Sequence, residues 1–435
     1  MTMTMQTDKR RFLFIHQNFP GQFVHLSAAL ARNGNEVVAL GIAGRPVPGV
    51  RYVRYQLALP KVSSSMPLVK DFEAKVTRGM ACAAAMLRLQ AEGFEPDVIV
   101  AHPGWGEALF CKDVWPNSKL VVFAEFFYNT QGADVGFDAE FLDDSATQRS
   151  RLRMKNTAML HALLACDVAY TPTQWQWGQL PKAFQNKVSV IFDGIDTDLV
   201  QPDSSASLFI NDCNLTLTAN DEVITFVNRN LEPYRGFHRF MRALPAILNE
   251  RPLAHCVIVG GDDISYGVQP QQGGSWRDVL LQELGDKLPM DRVHFVGRLT
   301  YADYLKVLQI SSCHVYLTYP FVLSWSCVEA MSAGCTLVAS DTGPVQELIK
   351  HGSTGLLVDF FDTAGLARQV VKVLQTPEEF QQLGQAGRAA AVARYDLMRF
   401  CLPEQLAMME KLLVGVAVTK LEVSASSLGS LPHNG

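Results

Sequence analysis

Short runs of apolar residues recur along this chain, separated by longer stretches in which apolar positions return every three or four residues. In the first half the short runs are 11–16, 36–42, 98–101, 119–124, 168–171 and 188–192, the pattern of strands buried on both faces. Between them, 22–32, 69–91 and 146–166 carry the helical period. Strands alternating with helices predict a parallel sheet covered on both sides. The alternation breaks after Phe192, where Asp-Gly-Ile-Asp-Thr-Asp-Leu-Val-Gln-Pro and polar 203–207 read as a linker. It then restarts, with expected strands at 223–228, 255–259, 293–296, 314–318, 336–340 and 355–358. The halves share no sequence repeat, only this architecture. The expected fold is α/β, two doubly wound (Rossmann-like) parallel-sheet domains facing across a cleft, with a ligand at the carboxyl ends of the strands. The expected division is 1–195, a linker at 196–207, and 208–398. A C-terminal helix at 399–423 returns to the first domain, and 424–435, rich in Ser, Gly and Pro, is a disordered tail.

A length of 435 residues agrees with two domains, and 48% hydrophobic with 19% charged residues is ordinary for a globular protein. The net charge of −5 gives no reason to expect nucleic acid as a partner, so an anionic ligand needs locally placed Arg and Lys. The nine cysteines are scattered without Cys-x-x-Cys spacing and read as buried thiols of a reducing compartment. The apolar stretch after Lys9-Arg10-Arg11 is too short for a signal-peptide core, and no run is long enough to span a membrane. The expected location is the cytoplasm. Peripheral contact with the membrane rests on 67–90, where Leu68, Phe72, Val76 and Met80 share a helical face and Lys70, Lys75 and Arg78 point elsewhere. The alternative is a helix packed on its own sheet.

The strongest candidate for chemistry is Thr318-Tyr-Pro-Phe-Val-Leu-Ser-Trp-Ser-Cys-Val-Glu-Ala-Met-Ser-Ala-Gly334. It reads as a loop turning into a helix, with Ser324, Trp325 and Ser326 at the start and Glu329 one turn further in. Free N–H groups and the dipole make a helix start favourable for an anion. A carboxylate about five residues on lies ~7 Å along the axis, a reasonable reach from a diphosphate to a ribose. Arg229 ends a strand and Arg235 opens the next helix, two cations suited to a phosphate pair. Arg298 follows another strand end and can stack on a base or belong to a plain turn. In the first half, Gly21 follows a strand and allows close approach to a ligand, or is simply structural. His102 at a strand's carboxyl end faces the cleft or is a hydrogen-bonded loop histidine. Glu125, also at a strand end, orients a sugar acceptor or moves a proton, or caps a loop. Asp134 and Asp138 fit solvated turns equally well.

These pieces, in this order, resemble family 4 retaining glycosyltransferases of the GT-B fold, over nearly all of 11–400. The likeness is strongest where Val-His-Phe-Val-Gly-Arg, then Tyr-Pro-…-Val-Glu-Ala-Met-Ser-Ala-Gly, then Gly-Pro-Val-Gln-Glu follow one another. His-Gln-Asn-Phe-Pro-Gly-Gln-Phe and Glu-Phe-Phe-Tyr-…-Gly-Ala-Asp-Val-Gly-Phe-Asp look like a bacterial polysaccharide-synthesis subgroup. The resemblance implies a donor nucleotide held by the second domain. It places Arg229 on the diphosphate, Arg235 where many members have lysine, and Glu329 on the ribose hydroxyls as the second glutamate of Glu-x7-Glu. It also puts Gly21 near the phosphates and His102 near the transferred sugar. It implies no metal and no cofactor beyond the nucleotide-diphosphate sugar itself, because positive side chains and helix starts stabilise the leaving group. The first glutamate of that motif falls at Phe321, which removes a charge-assisted contact to the donor sugar, ~1.5–3 kcal/mol of discrimination.

The expected activity is transfer of a sugar from a nucleotide sugar donor to a saccharide or lipid-linked acceptor. Catalytic roles fall to His102, Arg229 and Arg235, donor binding to Gly21, Arg298, Phe321, Ser324, Trp325, Ser326 and Glu329, and the acceptor side to Glu125. The rivals are a sugar-nucleotide epimerase of the same fold and a non-catalytic nucleotide-sugar-binding partner of an active transferase. Base, sugar, acceptor and oligomeric state are left open.

Overall fold

The structure, a computed structural model, describes residues 9–57, 66–141 and 146–415. The expected tail at 424–435, the end of the expected helix at 416–423 and the first eight residues lie outside the described residues. The chain divides into two compact units. The described residues of the first are 9–57, 66–127, 146–191 and 404–415, and those of the second are 128–141 and 192–403. The boundary falls after Ile191 and not after residue 195, and 128–141, placed in the first domain by the sequence, belongs to the second unit.

The first unit is built on seven parallel strands: β1 (Arg11–Ile15), β2 (Glu36–Gly41), β3 (Arg51–Arg54), β4 (Val98–Ala101), β5 (Lys119–Phe123), β6 (Val168–Thr171) and β7 (Val188–Val190). Their order in the sheet is β3-β2-β1-β4-β5-β6-β7, all parallel. Strand order reverses between β1 and β4, the place where doubly wound sheets open a crevice at the strands' carboxyl ends. Alternate residues face opposite sides. Leu13, Ile15, Ile99, Ala101, Leu120 and Val122 enter one core with Cys82, Met86 and Leu89 of a long helix. That helix, Lys70–Ala91, does not bury the face expected of it. Lys75, Gly79, Cys82, Ala85, Met86 and Leu89 are buried, whereas Met80 is 63% exposed. Lys75 is satisfied there by Asp71 at 3.0 Å and by the Lys155 carbonyl at 2.7 Å. The helix expected over 146–166 is two, Ala146–Lys155 and Thr157–Ala165, meeting at Asn156.

The second unit repeats the plan with β8 (Val223–Asn230), β9 (His255–Gly261), β10 (Val293–Gly297), β11 (Cys313–Tyr316), β12 (Leu337–Ser340) and β13 (Leu356–Val358). Their order is β10-β9-β8-β11-β12-β13, again all parallel, with the reversal between β8 and β11. Ile224 and Phe226 face one core and Val223 and Val227 the other. The first core takes the apolar stripe of α1 (Phe237–Glu250), whose Phe237, Phe240, Met241, Leu244, Ile247 and Leu248 recur at helical spacing. Phe240 stacks on Phe226 with ring centres 4.5 Å apart. The second core takes α2 (Tyr301–Gln309) and α3 (Trp325–Ser332). A two-stranded antiparallel ribbon, Ser207–Ile210 with Leu215–Thr218, starts at the last residue of the expected linker and runs into the expected second domain. All nine cysteines are free and eight are buried, Cys213 being the exposed one. Among the described residues no helix is long and apolar enough to cross a membrane.

Candidate active site

In the second unit the candidate residues gather where the strand order reverses. Arg229 lies at the carboxyl end of β8, exposed, with no hydrogen bond or ion pair to a described residue. Arg235 closes a single turn that follows the same strand, and it is nearly buried. The adjacent Gly236 sits at φ +70°, and a Cβ there would strike the Leu317 side chain. The chain therefore turns tightly beside β11, and the Arg235 guanidinium reaches the loop after that strand. Its Nη1 donates to Thr318 Oγ1 and to the Val322 carbonyl, each at 2.9 Å. Its planar face lies 5.3 Å from the Tyr266 ring centre and 5.7 Å from that of Phe321. The two arginines are thus unlike: Arg229 is a free cation, and Arg235 is braced by two acceptors and two aromatic faces.

Phe321 is buried, with ring centres 4.9 Å from Tyr266, 5.1 Å from Tyr234 and 6.4 Å from Tyr128. An aromatic wall stands at the position read as a missing carboxylate. Tyr266 is set in it by Glu232, a buried carboxylate after β8. Glu232 takes the N–H groups of Ser265 at 3.3 Å, Tyr266 at 3.2 Å and Gly267 at 2.9 Å. On α3, Ser324 caps the helix by accepting the Ser326 N–H at 3.3 Å. Trp325, 39% exposed, donates its indole N–H to Asp193 at 2.7 Å. Glu329, one turn further, is buried and not open. Tyr301 donates to its Oε1 and Tyr304 to its Oε2, each at 2.8 Å. Burial raises its pKa and the two hydroxyl bonds pull the other way. Arg298, after β10, is exposed and bonded to Asp263 and to Asn230, the latter at 2.9 Å.

In the first unit, His16 follows β1, His102 follows β4 and Glu125 follows β5, so the reversal point again collects polar groups. The His102 Nδ1 accepts the Gly104 N–H at 3.1 Å, so its proton is on Nε2, which donates to Glu125 Oε2 at 3.3 Å. By the same reasoning His16 accepts the Asn18 N–H on Nδ1 and donates from Nε2 to Gln22 Oε1, both at 3.0 Å. Gln22 then donates to Glu125 Oε1 at 2.7 Å. Both lines of donors end on one carboxylate. Burial pushes the Glu125 pKa up, but the His102 bond and the neighbouring imidazoles outweigh it, so the carboxyl stays below its ordinary range. Burial, then the nearby His102, drives His16 down to about 3. Gly21 has φ +48°, and a Cβ on it would come closer than 3.0 Å to three atoms of the His16 ring. The expected close approach at Gly21 is thus to His16, a residue of the same unit.

Asp134 and Asp138, read as solvated turns or as site residues, are buried. In the second unit they clamp 128–141 onto neighbouring elements. Asp134 bonds to Tyr234. Asp138 meets His238 at 2.9 Å, and Arg239 and Tyr319 at 3.1 Å each. Asp138, Glu140 and His238 are close enough together to hold a cation. Their charges are already answered, since Arg239 reaches Asp138 and Arg242 forks onto Glu140 at 2.7 Å per bond.

With this geometry in hand, comparison with known proteins decides the family. The model described as "Glycosyl transferase family 4 group" matches residues 33–200, and that described as "Glycosyl transferases group 1" matches 214–390. The chain belongs to the family 4 glycosyltransferases. Among curated family members it is similar to glycogen synthase of Mycobacterium tuberculosis, 27% identical over 173 residues, 40% of this chain and 39% of that protein. It is also similar to D-inositol 3-phosphate glycosyltransferase of Streptomyces scabiei, 25% identical over 261 residues, 58% of this chain and 56% of that protein. These matches therefore span well under two thirds of either relative. Among solved structures, sucrose-phosphate synthase from Thermosynechococcus elongatus superposes with a TM-score of 0.69 at 20% identity, covering 94% of this chain and 100% of that one. Anabaena HepE, solved with UDP, superposes with a TM-score of 0.64 at 17% identity, covering 93% and 99%. This likeness places the two doubly wound domains among GT-B folds.

Sequence reasoning passed over His16, Gln22, Glu232, Tyr301 and Tyr304. His16 had the same signal as His102, a histidine just past a buried strand. The tyrosines stand three apart at a helix start, hence on one face. Nothing in sequence says that this face meets Glu329.

Proposed function

We propose that this protein is a retaining glycosyltransferase that moves a sugar from a nucleoside diphosphate donor to a saccharide or lipid-linked acceptor, with no metal ion. The observation that carries this reading is the gathering of Arg229, Arg235, the start of α3 and Glu329 around one strand-order reversal. A diphosphate at that point meets an unengaged guanidinium at Arg229 and a braced one at Arg235. As the glycosidic bond breaks, charge grows on the phosphate oxygens, and these fixed donors lower the barrier without reorganising. Guanidinium groups and a helix start supply in this scheme what a divalent ion would otherwise supply. Glu329, one turn along α3, takes the ribose hydroxyls. Trp325 and Ser326 border the same helix start, and Arg298 takes the base side. HepE, named with UDP and UDP-glucose, lends support to a sugar nucleotide as donor class.

In the first unit, Glu125 is the acceptor-side group. It is held ionised, with one donor on each oxygen, and is 30% exposed. It can accept a further hydrogen bond from a sugar hydroxyl. His102 fixes the carboxylate's orientation. The test is release of nucleoside diphosphate from a panel of sugar nucleotides, with and without saccharide acceptors and in the presence of a chelator, with the product anomer read by proton NMR. Retained anomeric configuration, acceptor-dependent release and indifference to the chelator are expected. Arg229→Ala and Glu329→Ala should each depress turnover or donor binding at least about tenfold, the order of one charged hydrogen bond. Inverted product, or full activity in both variants, sinks the reading. Isomerised donor in the absence of acceptor would replace it with an epimerase.

A further inference from the structure

Each oxygen of the Glu329 carboxylate holds one tyrosine hydroxyl, and the two hydroxyls are not equivalent. Tyr301 and Tyr304 project from one face of α2, and each donates to a different oxygen at 2.8 Å. Tyr304 is partly buried against the core that α2 and α3 share, which limits where its ring can move. The Tyr301 ring is 49% exposed, touching Tyr304 with centres 5.8 Å apart. Glu329 is itself only 8% exposed. A carboxylate so buried needs hydrogen bonds while it waits for a ligand. So little of it faces solvent that a vicinal diol reaches it most directly where the solvent-side hydroxyl now sits.

Resting on the reading of Glu329 as the ribose ligand, we infer that Tyr304 is a positioning residue that holds the carboxylate throughout, while Tyr301 is a displaceable cap whose hydroxyl occupies the place of one ribose hydroxyl. The cap keeps the carboxylate satisfied in the empty site and is exchanged, bond for bond, when the diol enters. The two tyrosines therefore act on donor affinity with opposite signs. Removing the Tyr304 hydroxyl loosens the carboxylate that grips the ribose. Removing the Tyr301 hydroxyl leaves that carboxylate short of a donor in the empty protein and removes the competitor.

Isothermal titration calorimetry with UDP, GDP and ADP, each beside its 2′,3′-dideoxy form, tests this on the full chain. The wild type should bind one of them with the ribo form preferred at least about tenfold, the order of one bond to a charged group. For that nucleotide, Tyr304→Phe should weaken the ribo form about tenfold, and Tyr301→Phe should tighten it several-fold. Both variants should leave the dideoxy form within about twofold of wild type. Absence of any ribo preference in the wild type overturns the Glu329 assignment, and this inference with it. A ribo preference that both variants weaken alike, or a shift shared by the ribo and dideoxy forms, overturns the inference and leaves the assignment standing. Tyr301→Phe sits at an exposed ring, so its sign is readable even where Tyr304→Phe lowers the melting temperature.

Discussion

Gly21→Ala should be costly for a reason that lies entirely within the first unit. At φ +48° any side chain pays about 1 kcal/mol for left-handed backbone. The new Cβ would also come closer than 3.0 Å to three atoms of the His16 ring, and that ring is 4% exposed. To escape, the ring must give up its bonds to Gln22 and to the Asn18 N–H, both at 3.0 Å. At about 1 kcal/mol per bond, and about 1–3 more where a buried partner is left unsatisfied, the substitution should cost roughly 4 kcal/mol. In a His16→Ala background the ring is gone, and only the backbone share of about 1 kcal/mol remains. The expected coupling between the two positions is therefore about 3 kcal/mol, far above the ~0.5 kcal/mol within which unconnected sites add. The assay is a double-mutant cycle in urea, read by hydrogen exchange at peptides from β1 and β4 so that only the first unit's opening is scored. A Gly21→Ala cost that is the same in both backgrounds refutes the argument. It would also restore the reading in which Gly21 exists for the approach of a ligand.

Two further outcomes follow from charge. His16 titrates at about 3 in the folded chain against 6.5 unfolded, so between those values the unfolded state carries the extra proton, and stability falls as pH drops through that window. Between pH 7.5 and 5.0 the loss from this group should be about 2 kcal/mol, and His16→Gln should lose that much less over the same interval; equal losses in the two proteins would remove His16 from the account. In the second unit, burial works against the Asp138 carboxyl, but the His238 bond and Arg239 hold it down to about 2. Asp138→Asn leaves Arg239 and His238 short of their partner and should cost about 3 kcal/mol, read as earlier hydrogen exchange in 128–141 and α1, whereas protection equal to wild type would show that the clamp carries no stability.

The fold was legible because parallel strands buried on both faces leave uniform apolar runs; the one strand missed in the two large sheets was β3 (Arg51–Arg54), an edge strand with no fully buried residue and so no apolar run. Phe12 to Ile15 and Val98 to Ala101 have no polar interruption, and runs this short and uniformly apolar fit a strand buried on both faces better than a helix with one apolar stripe. The failures have a common cause. Met80 belonged to a face of Lys70–Ala91 read as lipid-facing or packed on its own sheet and it is exposed, while Lys75 looked like surface and is buried. A helix's buried face depends on what lies opposite, and the Lys155 carbonyl that satisfies Lys75 is eighty positions away. Asp134 and Asp138 looked like turn residues because a Gly-Ala-Asp-Val-Gly-Phe-Asp run is locally a turn sequence. Their partners Tyr234 and His238 come a hundred positions later, beyond any local pattern.

The candidate site shows the same division in finer detail. Position along the chain identifies which residues stand at a strand's carboxyl end, because strands are visible and their order in a doubly wound sheet is constrained. That is why Arg229, Arg235, His102, Glu125 and the start of α3 could be named from sequence. It does not show how free each group is. Arg229 and Arg235 look alike on paper, yet one is unengaged and the other is held by Thr318, Val322 and two rings. Glu329 looks like an open carboxylate and is capped by two tyrosines. Phe321 looks like a loss, yet with Tyr234 and Tyr266 it walls the guanidinium that remains. A cation between aromatic faces and away from water keeps its charge but loses freedom to reorient. An arginine so held is a fixed donor, which is what a leaving diphosphate requires of its surroundings. Putting Glu back at 321 would set a carboxylate beside that guanidinium and neutralise it. The aromatic residue and the braced arginine therefore belong together, and a change at either position has to be judged with the other.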